Sequence, residues 1–156
     1  MKIKMKDIAY YLPEKIVTNA DLQKENPDWD MKLVESRTGV VERHITQDDE
    51  TALDMTIKAC KNLFLKNKEA KKQIDGIIFC TQNPDYIMPP NSCILHKTLE
   101  LPDNVFCFDF NLACSGYVYG LALAQGLIQS GMNKNILLVT ADTYSKYINK
   151  KDRSAR

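Results

Sequence analysis

The sequence predicts an α/β fold built around a mixed, mostly parallel sheet, and three observations carry that prediction. From Glu50 onward, segments with helical spacing alternate with short strand-like runs. One run, Asp75-Gly-Ile-Ile-Phe-Cys-Thr, is continuously apolar, as a strand covered on both faces must be. The long apolar segment 115–130 lies between two further strand-like runs, which is where a crossover helix belongs.

Taken in order, residues 2–11 read as a first strand, closed by Leu12-Pro13-Glu14. Thr18-Asn19-Ala20-Asp21-Leu22 offers an N-cap and a short helix. A polar stretch around Asn26-Pro27-Asp28 follows, then a second short helix near 30–36. Between Thr51 and Lys66, Leu53, Ile57, Ala59, Cys60, Leu63 and Phe64 recur with helical spacing among charged residues. Pro89-Pro90-Asn91 leads into a helix over 92–99, and 105–110 is the next strand. The 115–130 helix, expected to be central and buried, ends before Gly131 at a helix-stop position. Asn-Ile-Leu-Leu-Val-Thr-Ala, 135–141, is the last strand.

A chain of 156 residues suits one domain with a real core, and 44% hydrophobic with 26% charged residues is an ordinary globular composition. With 21 basic against 20 acidic residues, the charge balance gives no reason to expect nucleic acid or a membrane surface as a partner. An acidic carrier protein stays open through a local basic patch. The amino terminus lacks the apolar run of a signal peptide, and nothing approaches the roughly 20 apolar residues of a membrane span. Five cysteines without a CxxC pair disfavour a disulfide framework, a zinc site or redox chemistry. A reduced, cytoplasmic protein without metal or cofactor is the expectation. No glycine-rich phosphate loop follows any strand, which removes the usual support for nucleotide binding.

The informative segment is Phe108-Asp109-Phe110-Asn111-Leu112-Ala113-Cys114-Ser115-Gly116-Tyr117, continuing through Gly120. A strand ends, small residues follow, and a cysteine stands where an apolar helix begins. Unpaired backbone N–H groups and the helix dipole favour an anion there, so the position suits a reactive thiolate. The alternative is a small buried hydrophobe, the commoner fate of a cysteine in apolar sequence. Gly116 and Gly120 share a helix face, and each costs up to about 1 kcal/mol against alanine, so close packing there is expected. Cys60, Cys80, Cys93 and Cys107 read as core.

Residues 109–121 resemble the nucleophile segment of β-ketoacyl-acyl carrier protein synthase III, a condensing enzyme of the thiolase superfamily. Other resemblances follow in that family's order: Tyr11-Leu12-Pro13-Glu14, Thr18-Asn19-Ala20-Asp21-Leu22, Arg37-Thr38-Gly39-Val40 with Glu42-Arg43-His44-Ile45, and Asp152-Arg153. The resemblance implies one half of a thiolase-like fold, an N-terminal βαβαβ-type layer over 1–156. It implies that Cys114 accepts an acyl group from acyl-CoA or acyl carrier protein before condensation with a malonyl-carrier donor, with the Cys114 N–H as an oxyanion donor. These thioesters are substrates, so no cofactor is implied. It assigns Arg37 and Thr38 to the mouth of the pantetheine channel and Arg153 to adenine stacking. Met88 falls to an acyl pocket reached across a homodimer, with 105–110 as the dimer strand. Read from the residues alone, Arg37 is equally a surface salt bridge, Arg153 a solvated charge and Met88 an exposed loop residue.

Two departures stand out. Leu33 occupies the place of the family's adenine-stacking tryptophan, and the only tryptophan is Trp29; this favours a carrier-protein donor. The family's catalytic histidine and asparagine lie in a second half that this chain does not match, and His44 and His96 read as structural. The chain alone is therefore expected to lack condensing activity and to expose an apolar face. The competing readings are a non-catalytic subunit that binds acyl carriers or completes a dimer, and a related acyltransferase of the same superfamily.

Overall fold

The computed structural model describes residues 3–149, 151 and 152. They fall into two compact units, Leu12–Glu50 with Thr143–Arg156, and Met1–Tyr11 with Thr51–Asp142.

The smaller unit is built on a two-stranded antiparallel sheet. Strand β1 (Lys15–Thr18) pairs with β2 (Glu42–Ile45), placing Lys15 opposite Ile45 and Thr18 opposite Glu42. Between them lie helices α1 (Asn19–Glu25) and α2 (Met31–Thr38). Thr18 caps α1 in a reciprocal box: its hydroxyl accepts from the Asp21 N–H, and the Asp21 carboxylate accepts from the Thr18 N–H. The Thr18 hydroxyl also donates to the Asp21 carboxylate at 2.6 Å, and that bond, with the one from the Thr18 amide, holds the Asp21 carboxyl below its ordinary pKa. Asp30 caps α2 by accepting from the Leu33 N–H, and Gly39 ends it in the left-handed region at φ 72°. The second expected helix thus runs on to Thr38. Leu22 and Met31 are buried, and the Asn19 side chain joins Val40 O to Arg43.

The larger unit is an α/β layer structure. It contains α3 (Ala52–Lys66), α4 (Ala70–Gln73), β3 (Gly76–Cys80), α5 (Asn91–Thr98), β4 (Phe106–Phe110), α6 (Gly116–Gln129) and β5 (Ile136–Thr140). The strands pair in the order β4-β3-β5, all parallel, with Gly76 beside Phe106 and Ile136. Every residue of β3 is buried, as its unbroken apolar run requires. Alternation along the strands divides the two faces. Ile77 and Phe79, both 0% exposed, form a core with Leu53 and Cys60 of α3, Leu95 of α5, and Leu137 and Val139 of β5. Gly76, Ile78 and Cys80 point the other way, where α6 packs. Thr51 starts α3 through a second capping box, with Asp54.

Four expectations are corrected. Residues 3–11 form no strand, because no strand among the described residues shares a ladder with them; Lys6 instead bonds Asn135 through its ammonium group. Glu42–Ile45, to which the sequence reading gave no strand, is the strand β2, held by its ladder to β1. Helix α6 is not buried in this chain: only Gly116 and Gly120 are fully covered, while Tyr117, Val118, Tyr119, Leu121 and Leu123 are exposed, since nothing among the described residues covers its outer side. Cys93 is exposed on α5 instead of core, because it faces away from the Leu95 side of the helix. No described helix is long and apolar enough to cross a membrane.

Candidate active site

The carboxyl ends of parallel strands are where α/β sheets present their loops to ligands. At that end of β4, Asn111 and Leu112 lead into a 3-10 turn, Ala113–Ser115, which runs directly into α6. Ala113 stands at φ 47°, a left-handed conformation that costs a non-glycine residue energy and is held by its surroundings. The Asn111 side chain accepts from the Ala113 N–H at 3.3 Å, and Leu112 O accepts from both the Ser115 N–H and hydroxyl, at 3.1 and 2.8 Å. Cys114, centred in this turn, is exposed. No side chain caps the start of α6, so no side-chain acceptor competes for its first amides.

Beneath the turn lies Cys80, the last residue of β3. Its sulfur lies so near Gly116 that a Cβ there would be 2.3 Å from it. Burial, partly offset by the Leu112 backbone, pushes the Cys80 thiol pKa up. Cys80 therefore packs against the start of α6 just after the Cys114 turn, a role the sequence does not signal beyond its place after an apolar strand. Gly120 has the packing reason expected of it: a Cβ there would meet Leu138 at 2.6 Å and Phe110 at 3.4 Å. The partner of this helix face is the sheet, with two strands contributing.

Around the turn, the loops after β3 and β5 are tied together. The Asp142 carboxylate accepts from the Gln82 N–H at 2.6 Å, the Thr81 hydroxyl at 3.2 Å and the Gln82 amide at 3.1 Å. Thr81 N–H donates to Phe110 O, so the three strand ends remain in step.

The other expected site residues are spread over both units. Met88 belongs to the larger one, 79% exposed beside Ile87 at 99%, in the loop before α5. Arg37 and Thr38 are exposed at the end of α2 in the smaller one. The Thr38 hydroxyl donates to Val34 O and accepts from the Val40 N–H, while Arg37 makes no ion pair among the described residues. Leu33 is exposed and Trp29 half-buried. Arg153 lies outside the described residues. His44 Nδ1 faces Pro13 O at 2.6 Å and His96 Nε2 faces Pro102 O at 2.9 Å, so both rings hold backbone. Among the described residues no cluster of three or more His, Cys, Asp or Glu could hold a metal ion.

Accessibility separates the thiols in two groups. Burial raises Cys60 to about 12, and burial followed by the nearby Cys93 and Asp109 raises Cys107 to about 11. Iodoacetamide is expected to modify Cys114 and Cys93 first, with Cys60, Cys80 and Cys107 slower by at least about tenfold. Peptide mapping over time checks this, and uniform labelling of all five would contradict the burial described.

The α/β layer, with an exposed cysteine at the carboxyl end of a strand, is one half of a thiolase-like fold. The likeness is to the β-ketoacyl-acyl carrier protein synthase III family, and it runs along nearly the whole of this chain. The family model described as 3-oxoacyl-[acyl-carrier-protein] synthase III matches residues 108–156, the Cys114 turn included. The β-ketoacyl-[acyl-carrier-protein] synthase III of Sulfurovum sp. (strain NBC37-1) is 42% identical over 150 residues, covering 96% of this chain and 44% of that protein. A crystal structure of a 3-oxoacyl-(acyl-carrier-protein) synthase III superposes with a TM-score of 0.90 at 44% identity, covering 95% of this chain and 44% of the other. The synthase III of Thermus thermophilus gives 0.86 at 31% identity, covering 94% and 45%. The chain thus spans a little under half the length of these relatives, roughly their N-terminal half.

Proposed function

We propose that this chain supplies the acyl-accepting part of a β-ketoacyl-acyl carrier protein synthase III reaction, with Cys114 as nucleophile. One observation carries the reading: Cys114 is exposed at a strand's carboxyl end, on a left-handed turn that opens α6. The Cys114 thiolate attacks the carbonyl of an acyl thioester, and the thiol of CoA or of the carrier leaves with a proton. Backbone N–H groups of the turn, that of Cys114 first, stabilise the oxyanion between these events. In the second stage malonyl-carrier loses carbon dioxide. The resulting carbanion attacks the acyl-enzyme, and the Cys114 thiolate is released.

Both histidines here hold backbone carbonyls, so the decarboxylation groups are assigned to a second half like the one in the relatives. On this reading residues 1–156 form the first, N-terminal thiolase-like domain. Arg37, Thr38 and Arg153 serve the CoA or carrier arm, and Met88 an acyl pocket shared across a homodimer. The open edge of β4 suits the dimer strand. Leu33 offers no aromatic face for adenine, which favours the carrier protein as donor. The reaction belongs to cytoplasmic fatty-acid or related biosynthesis.

Intact mass after incubation with acetyl-CoA, and separately with an acyl carrier protein thioester, tests the assignment. One acyl adduct at Cys114, lost in Cys114→Ser, is the expected result. If neither donor gives an adduct while the chain still binds acyl carrier protein, a non-catalytic carrier-binding subunit replaces this reading.

A further inference from the structure

The Cys114 turn is held to the sheet on both of its sides by two consecutive residues, Cys80 and Thr81. Before the turn, the Thr81 N–H donates to Phe110 O at 3.1 Å and fixes the last residue of β4. After it, Cys80 packs so closely on Gly116 that a Cβ would not fit between them. Cys80 and Thr81 are in turn fixed by the two residues that follow β5. The Ala141 N–H donates to Cys80 O at 3.2 Å. One oxygen of the Asp142 carboxylate accepts from the Gln82 N–H at 2.6 Å and the Thr81 hydroxyl at 3.2 Å, and the other accepts from the Gln82 side-chain amide at 3.1 Å. The Thr81 hydroxyl also accepts from the Asn83 N–H at 2.9 Å, and Thr81 is 4% exposed, so its position is set from several directions. Ala113, left-handed at φ 47°, keeps its conformation only while its surroundings hold it.

We infer that Asp142 is a positioning residue for acyl transfer to Cys114, acting through Thr81; the inference rests on Cys114 as the nucleophile. The bonds of the carboxylate go to residues 81 and 82, so it works by geometry, at one remove from the reacting atoms. It ties the end of β5 to the end of β3, and Thr81 passes that tie to Phe110, four residues before Cys114. When a thioester carbonyl adds to the Cys114 sulfur, backbone N–H groups must point at the oxyanion, and a misplacement of about 1 Å can cost a hundredfold in rate. Alkylation makes no such demand. Iodoacetamide loses iodide in a direct displacement at a saturated carbon, with no oxyanion, and needs only an accessible thiolate. Loss of the Asp142 bonds should therefore slow acylation and spare alkylation.

Two rates at Cys114 are compared between the unaltered chain and Asp142→Ala, a change at an exposed position: acetylation by acetyl-CoA, followed by intact mass, and alkylation by iodoacetamide, followed by peptide mapping. Acetylation is expected to fall at least about tenfold while alkylation stays within about twofold. Asp142→Asn keeps the oxygen that accepts from Thr81 and Gln82, and the Gln82 amide can turn its own oxygen to the new NH2 group, so this variant should recover most of the acetylation rate. Thr81→Val, close in shape but without the hydroxyl, should slow acetylation, and adding it to Asp142→Ala should slow it no further. Equal acetylation of Asp142→Ala and the unaltered chain would overturn the inference and leave Cys114 as the nucleophile. So would Asp142→Asn as slow as the alanine variant, or acetylation and alkylation slowed together, which marks a general loosening. If the unaltered chain forms no adduct at Cys114, the nucleophile reading fails and this inference falls with it.

Discussion

Gly116→Ala is expected to destabilise the larger unit by about 2 kcal/mol and to disturb Cys114 more than any change at the surface. Two effects oppose each other. Alanine improves helix propensity by up to about 1 kcal/mol. Against this, a Cβ at 116 would lie 2.3 Å from Cys80 Sγ, and overpacking a filled site costs about 1–3 kcal/mol, with so short an approach at the top of that range. Cys80 is buried at the end of the fully buried strand β3, so its sulfur has little room to move aside. Urea denaturation measures the loss, and the rate of Cys114 alkylation reports the turn. Cys80→Ala provides the decisive control: with the sulfur gone, the nearest remaining Cys80 atom is its Cβ at 3.7 Å, an ordinary contact. The double variant should recover most of the stability lost in Gly116→Ala. If the two losses simply add, the sulfur is not the obstacle.

Asp109→Ala should cost about 3 kcal/mol, a large effect for a single charged side chain. Helix α5 begins after Pro90, which offers no side-chain cap, and its first residues Asn91 and Ser92 are 0% exposed. Water cannot replace the acceptor there. Two bonds to an ionised acceptor disappear together and leave buried amides unpaired, at about 1–3 kcal/mol each before relaxation. Asn91 extends the consequence, since its side chain accepts from the Asp85 N–H at 3.1 Å and donates to the Asp85 carboxylate at 3.0 Å. Asp109→Asn keeps one acceptor oxygen and turns an NH2 group toward the other amide, so about half the loss is expected. Denaturation midpoints and hydrogen exchange at residues 91 and 92 check both. A change below about 0.5 kcal/mol for the alanine variant would show that the cap is dispensable.

The pattern of success in reading the sequence follows range. The N-cap at Thr18 and the helical spacing from Thr51 to Lys66 are local signals, and both helices begin where those segments place them. The apolar run in β3 announced burial on both faces, and the small residues before the apolar helix announced a break between strand and helix at Cys114. What failed depended on distant partners. Residues 3–11 have a strand-like pattern, yet a pattern makes a strand only when another strand meets it. The capping of α5 could not be seen, because its acceptor comes from β4, eighteen positions away in one bond and seventeen in the other. Cys93 was misplaced because the buried side of α5 is made by Asn91, Ser92 and Leu95, two of them polar, so apolar spacing does not mark it. Within the site, the exposed Cys114 was legible, whereas the Cys80 sulfur beneath it had no mark in composition or spacing.

The strand order β4-β3-β5 also has a meaning in time. The central strand is the first of the three to be synthesised, and both of its neighbours come later in the chain. During translation Gly-Ile-Ile-Phe-Cys therefore leaves the ribosome with neither edge occupied. It must wait for Phe106–Phe110, and then for Ile136–Thr140, at about 5–20 residues per second. An apolar, uncharged, proline-free pentapeptide is the kind of segment that associates with copies of itself while it waits. The nascent chain's period of greatest danger thus falls between the first strand and the second, when a chaperone that holds extended apolar segments would improve its yield most.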